Sequence, residues 1–182
     1  MHNNTKYAIQ NHKKIKRKEK AMKNKEYIEY TYKHRKIVNY LAEKYIKKDK
    51  EEKIKQIKEH DIDKIYMYLF YEKKEVSKIH REISKHHQNE KEKAEADYEE
   101  MALDWESARY TKEDKPLNAY DTLYKYYPEL EKQILPILKE WGIAHSNMPK
   151  DKEVEEYAKK IRSTTIEEIK EAIKKDLEER LQ

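Results

Sequence analysis

An all-α fold is what this sequence predicts, on three observations. One glycine and four prolines among 182 residues leave few of the tight turns on which β-hairpins depend. Apolar side chains recur every three or four residues along most of the chain, the period of an amphipathic helix. Sixteen tyrosines, two tryptophans and regularly spaced Ile and Leu supply a core in a chain that is 43% charged, which separates it from a disordered polyelectrolyte. The length suits one domain with a real core and a helical appendage.

The elements follow in order. Residues 1–25 hold nine Lys/Arg and one acid, Glu19, so residues 1–24 read as a basic arm. Such an arm suits a polyanion such as nucleic acid, although a solvated helix start is the simpler reading. Over 25–47, Ile28, Tyr32, Ile37, Val38, Leu41 and Tyr45 share a helical face, and His34 points inward with them. A second helix, about 50–60, carries Ile54 and Ile57, with His60 and Asp61 continuing its buried face. A third starts near Ile62 with Ile65 and Leu69. A fourth aligns Val76, Ile79, His80, Ile83 and His87 on one stripe. A fifth, about 90–110, carries Tyr98, Met101, Trp105 and Ala108, with Asp104 three residues after Met101.

Residues 111–120 break the pattern at Pro116 and read as a loop. Pro128 fits the first turn of a helix that ends at Trp141-Gly142. A polar linker, 145–152, leads to two more helices, the last opened by a capping box from Thr165 to Glu168 and striped by Ile169, Ile173 and Leu177. Val154, Tyr157 and Ile161 stripe the helix before it, and these apolar faces need cover. Folding back onto the rest of the chain or pairing in a homodimer would both supply it, and the homodimer is the expectation.

Composition also excludes classes. No apolar run approaches the roughly 18 residues of a spanning helix, and no signal-peptide core is present. The absence of cysteine removes disulfides and thiolate metal sites. The cytoplasm is the default location, and the Lys/Ile/Tyr/Asn bias suits an AT-rich genome, cellular or viral.

Five of the eight histidines fall between residues 34 and 87. His34, His60-Asp61 and Asp104 come from separate helices, each at an inward-facing or helix-terminal position. Singly, each reads as a hydrogen-bonded core or surface residue. Together they would cost several kcal/mol each to bury unpartnered. A shared divalent cation removes that cost, because neutral imidazole and carboxylate are the ligands it accepts.

This order, His…His-Asp…Asp on consecutive helices, resembles the signature of the HD-domain phosphohydrolases, carried here by His34, His60, Asp61 and Asp104. The histidines between the HD pair and Asp104 resemble the binuclear subset of that superfamily. "HDIDK", residues 60–64, is similar to the HD-I-G-K motif of the cyclic-dinucleotide phosphodiesterase branch, with Asp63 in place of glycine. That branch's Gly-Tyr-Pro element is absent, so its substrate is not implied. The chain also resembles a small group of bacterial and phage HD-like proteins with an HD-x-S-K-like motif, a histidine cluster and an acidic-Trp pair. Residues 60–64, 80–87 and Asp104-Trp105 match these in turn. The resemblance covers about residues 30–120.

It implies an HD-like helical bundle, which with the helical pattern of the chain is expected over 25–144, followed by a C-terminal helical extension over 145–182 that lies outside the resemblance. It implies one or two divalent transition-metal ions (Mn, Fe, Co, Ni or Zn), the first held by His34, His60, Asp61 and Asp104. Asp61 would bridge to a second ion, for which His80 and His87 are the candidate ligands. On one regular helix those two lie roughly 10 Å apart, too far to share an ion, unless the helix breaks near Lys85. Asp61 and Lys64 are the implied catalytic residues, Lys64 offsetting charge on a phosphate. Lys64, His86 and Lys115 are the candidate contacts to substrate.

Arg109, Lys112 and Lys115 otherwise read as an ordinary solvated loop, with Lys115 the exception. Tyr66, Tyr68, Tyr71 and Tyr98 suit base stacking, but in a helical protein tyrosines more often pack. The expected function is a metal-dependent phosphohydrolase or phosphodiesterase acting on a nucleotide or cyclic (oligo)nucleotide through a metal-activated water. Two rivals stand beside it, an HD-fold diiron oxygenase and a non-enzymatic basic helical binding protein.

Overall fold

The computed structural model describes residues 24–47, 50–87, 92–112 and 114–180, so the basic arm falls outside the described residues except for Asn24. Every element among the described residues is helical. Helix α1 (Lys25–Tyr45) buries the stripe its sequence announces, Ile28, Ile37, Val38 and Leu41, with His34 among them. The Asn24 side chain anchors its start, donating to the carbonyls of Tyr68 (2.8 Å) and Tyr71 (2.9 Å). Helices α2 (Glu51–Lys58) and α3 (Ile62–Met67) follow, separated by the turn that holds His60 and Asp61. Leu69 lies just past α3 and packs against the core beside Ile65 and Tyr68.

Helix α4 (Lys73–Ile83) begins at a reciprocal cap in which the Glu72 amide donates to Glu75 at 2.9 Å. It ends earlier than its apolar stripe suggests, because Ser84 adopts extended backbone (φ −84°, ψ 126°). His87 therefore leaves the stripe that Val76 and His80 share. Neither glycine nor proline marks the break; burial of His86 against acidic neighbours takes the place of another helical turn.

Helix α5 (Glu95–Thr111) lies against α1 and is buried along most of its length. Helix α6 (Ala119–Tyr126) is capped by Asn118, whose side chain accepts from the Asp121 amide at 2.7 Å. Pro128 opens a 3-10 turn (Pro128–Leu130) that runs into α7 (Glu131–Glu140). That helix stops in a left-handed Gly142 (φ +71°), with Ile143 N–H on the Leu138 carbonyl and Gly142 N–H on that of Lys139.

Helices α8 (Lys152–Arg162) and α9 (Ile166–Arg180) fold back on the bundle. Val154 and Ala158 complete the cluster built by Ile37, Leu41, Ile57 and Leu103, and Tyr157 stacks on Tyr40 at 4.2 Å. Ile169 is fully buried, and Ile173 packs against the cluster of Ile28, Ile65 and Val76. The Thr165–Glu168 cap forms as its sequence indicates. The stripes that raised the homodimer expectation thus find cover within the chain. Among the described residues no helix is long and apolar enough to cross a membrane.

Candidate metal centre

The site starts from one backbone feature. Asp61 takes the left-handed conformation (φ 56°, ψ 10°) between α2 and α3, a region that Asp tolerates better than most residues. Arg35 on α1 pins this turn from outside, donating Nε to the His60 carbonyl (2.6 Å) and a terminal nitrogen to that of Lys58 (2.9 Å). Both side chains of the His-Asp pair are thereby directed into the bundle, 2% and 4% exposed.

Two groups of donor atoms meet there, beside a third made of His60, His86 and Glu100. His34 from α1, His60 and Asp104 from α5 form the first; Asp61, His80 from α4, His86 and His87 form the second. Within each group the ligating atoms lie within 4.8 Å of one another. Asp104 Oδ1 stands 2.9 Å from His34 Nε2 and 3.8 Å from His60 Nε2. Asp61 faces both groups: Oδ1 is 2.9 Å from His80 Nε2 and 3.6 Å from His86 Nε2, while Oδ2 is 3.7 Å from His60 Nε2.

The surrounding hydrogen bonds assign the imidazole protons. Glu100 Oε1 accepts from Nδ1 of His60 (2.9 Å) and Nδ1 of His86 (2.8 Å). Asp63 accepts from His80 Nδ1 at 2.7 Å. Ser107 donates its own hydroxyl to the Asp104 carbonyl (2.8 Å), so its oxygen accepts from His34 Nδ1 (3.1 Å). The four Nε2 atoms then face the interior, where Asp104 Oδ1 meets that of His34 and Asp61 Oδ1 that of His80. They do so at close range: His34 and His60 Nε2 are 3.3 Å apart, as are those of His80 and His86. His87 Nε2 is buried without a hydrogen-bond partner. Ring nitrogens and carboxylate oxygens crowded this closely in a buried site suit a cation, proton or metal, between them. Neutral imidazoles oriented by carboxylates through the far nitrogen are the arrangement that metal-binding histidines adopt. These residues fit divalent transition ions, and either group can hold one.

Charge favours the same conclusion. The carboxylates Asp61, Asp63, Glu100 and Asp104 meet the ammonium of Lys64, which lies 2.8 Å from Asp61 Oδ2. Burial raises the Glu100 carboxyl, but its bonds from His60 and His86 outweigh this and hold it at about 2. Against the same opposition from burial, His60 and His80 keep Asp61 well below the usual carboxylate range, and His34 does so for Asp104. Burial depresses His86, yet the Asp61 and Glu100 carboxylates push it up to about 10, so this corner attracts positive charge, proton or metal. His87 lacks such partners; burial and then the neighbouring His86 push it down to about 3.

The adjacent histidines divide the work. His86 joins the buried donors, whereas His87 sits at the edge of a pocket of about 700 Å³ beside Asp104. Lys115 lines that pocket, together with Arg81, Lys125, Trp105, Tyr126 and Tyr127. Lys112 instead covers the Tyr30 ring at 4.5 Å. Arg109 turns away, buried and ion-paired with Glu106 at 3.0 Å. Of the tyrosines considered for stacking, Tyr68 packs on Tyr27, Tyr98 on the core beside Met101, and Tyr66 donates to Asp176 at 2.7 Å.

Sequence reasoning did not single out Glu100 or Ser107, nor a partner role for Asp63. The available signal was spacing, since Glu100 lies one helical turn before Asp104 and Ser107 nearly one turn after it, on the same face of α5. No protein-family model, curated protein or solved structure matches the chain.

Proposed function

We propose that the protein is a metal-dependent phosphohydrolase or phosphodiesterase whose substrate is a nucleotide or cyclic (oligo)nucleotide. The observation that supports it most is the convergence of four imidazole Nε2 atoms and two carboxylates, from four segments of chain, beside a cation-lined pocket. His34, His60 and Asp104 would hold one divalent ion, and Asp61, His80, His86 and His87 a second. Such ions supply Lewis-acid charge and lower the pKa of water, which is what phosphoester hydrolysis at neutral pH needs.

The chain's own residues supply the rest. Asp61 turns one oxygen toward each group, so it couples the two. Glu100 and Asp63 fix which imidazole nitrogen faces inward. Lys64 places an ammonium at the rim of the centre, where it offsets charge on a phosphoryl group. Lys115 provides a further cation in the pocket, where phosphate approaches Asp104 and His87.

The test supplies Mn²⁺, Fe²⁺, Co²⁺ or Ni²⁺ to purified protein with a panel of phosphodiesters and nucleotides. Metal-dependent release of phosphate or nucleoside is expected, abolished in His60→Ala. Lys64→Ala should lower turnover with bound metal retained, because it removes a positive charge near the ions. A metal-loaded protein that hydrolyses nothing in the panel contradicts the proposal. Oxygen uptake by that protein would point to an oxygenase, and failure to bind metal at all to a binding protein.

A further inference from the structure

We infer that the pocket beside Asp104 and His87 seats a single nucleobase, with Tyr126 as a specificity-determining residue; this rests on the phosphohydrolase reading. The wall of that pocket is aromatic and already ordered. Trp105, the residue next to Asp104, stacks on Tyr127 with ring centroids 4.8 Å apart and planes 6° from parallel. Both rings pack against the core of α5, α6 and α7, which fixes them before any ligand arrives. Tyr126 stands at the rim, 55% exposed and inclined 61° to Tyr127, so the two form a corner. An exposed tyrosine edge-on to a stacked aromatic pair gives a planar ring one face to lie on and one side to abut.

The polar lining selects what the ring must carry. Lys115 from the loop and Lys125 from α6, whose ammonium lies over the Tyr126 ring at 5.2 Å, bring cations to the same pocket beside Arg81, against Asp104 and Asp114. Asp104 belongs to the donor group, so the remaining balance is positive and suits phosphate. A sugar phosphate would leave the aromatic corner unused, and a lipid would meet too many charges. The volume of about 700 Å³ falls within the range of small-ligand sites, roughly 300–1,000 Å³. Among the lining residues no second pair of stacked rings awaits a second base, so a mononucleotide fits better than a cyclic dinucleotide.

The experiment measures binding by calorimetry, so that it does not depend on turnover. Adenosine monophosphate, uridine monophosphate, ribose 5-phosphate and a cyclic dinucleotide are titrated into the full-length protein. Base stacking should make both nucleotides bind about tenfold or more tightly than ribose 5-phosphate. Tyr126→Ala should remove most of that margin and Tyr126→Phe should keep it, both on an exposed side chain whose loss leaves the fold intact. Lys115→Ala should weaken nucleotide and ribose 5-phosphate alike. Equal binding of nucleotide and ribose 5-phosphate, or a margin unchanged in Tyr126→Ala, overturns the inference. So does a cyclic dinucleotide that outbinds the mononucleotides independently of Tyr126. If phosphoesters are hydrolysed without any base preference, the base seat falls and the phosphohydrolase reading stands. If a Tyr126-dependent base preference is present without hydrolysis of any phosphoester, the reverse holds.

Discussion

Helix α5 carries two buried polar clusters less than two turns apart, and they are solved in opposite ways. At its C-terminal end Arg109 pairs with Glu106 at 3.0 Å. Glu106 also accepts from the Ala119 amide (2.9 Å), and Arg109 donates to the carbonyls of Met148 (2.6 Å) and Pro149 (2.9 Å). Cation meets anion and both terminal nitrogens of Arg109 meet carbonyls, so the charges balance within the chain and the cluster ties the 145–151 segment to the bundle. At Glu100 and Asp104 the pattern inverts. There the carboxylates of Asp61, Asp63, Glu100 and Asp104 outnumber the ammonium of Lys64, and four imidazoles bring their Nε2 atoms together in pairs 3.3 Å apart. A buried polar cluster whose charges balance within the chain is architecture. One with an excess of carboxylates around converging imidazoles suits a cation from outside.

That contrast can be broken at either end. The largest effect on the fold is expected from Arg109→Ala, which strands Glu106 in the interior and frees two carbonyls. Loss of one partner of a buried pair costs about 3–5 kcal/mol, so chemical denaturation should show a fall of that order. Metal bound per folded chain should not change, since Arg109 touches no donor of the centre. A variant that lost metal in proportion would join the two clusters into one unit.

Glu100→Gln sharpens the other side. It keeps the shape but removes the charge that holds Nδ1 of His60 and His86. Outer partners of this kind are worth about 10- to 100-fold in metal affinity, with a smaller change in the fold than Arg109→Ala. Competition against a chelating dye reads the affinity directly. If Glu100→Gln binds metal like the parent, then the proton assignment at His60 and His86 fails.

The helical class and the inward positions of His34, His60, Asp61 and Asp104 were legible because periodicity marks buried faces without reference to partners. Other features were not, for physical reasons. Glu100 lies in a helix that also carries Glu95, Asp97, Glu99 and Glu106, and composition does not reveal which acid is buried beside an imidazole. The end of α4 was unmarked, because Ser84 breaks the helix through the tertiary burial of His86 and not through a local signal. Trp105 and Tyr127 were separated by a loop and a helix, so their stacking is a product of the fold. Arg109 reads from the sequence as part of a solvated loop, whereas it lies within α5 in a buried ion pair with Glu106.

Whether the converging histidines and carboxylates hold metal is tested most directly by elemental analysis. The full chain, purified without chelator or a nickel column and supplied with a divalent transition metal, should carry two ions, one for His34, His60 and Asp104 and one for Asp61, His80, His86 and His87. Asp61→Ala, which removes the carboxylate facing both groups, should lose the metal and melt at a lower temperature than the loaded parent. Protein that binds no transition metal, or an Asp61→Ala variant that keeps its full complement, would contradict the metal-centre reading.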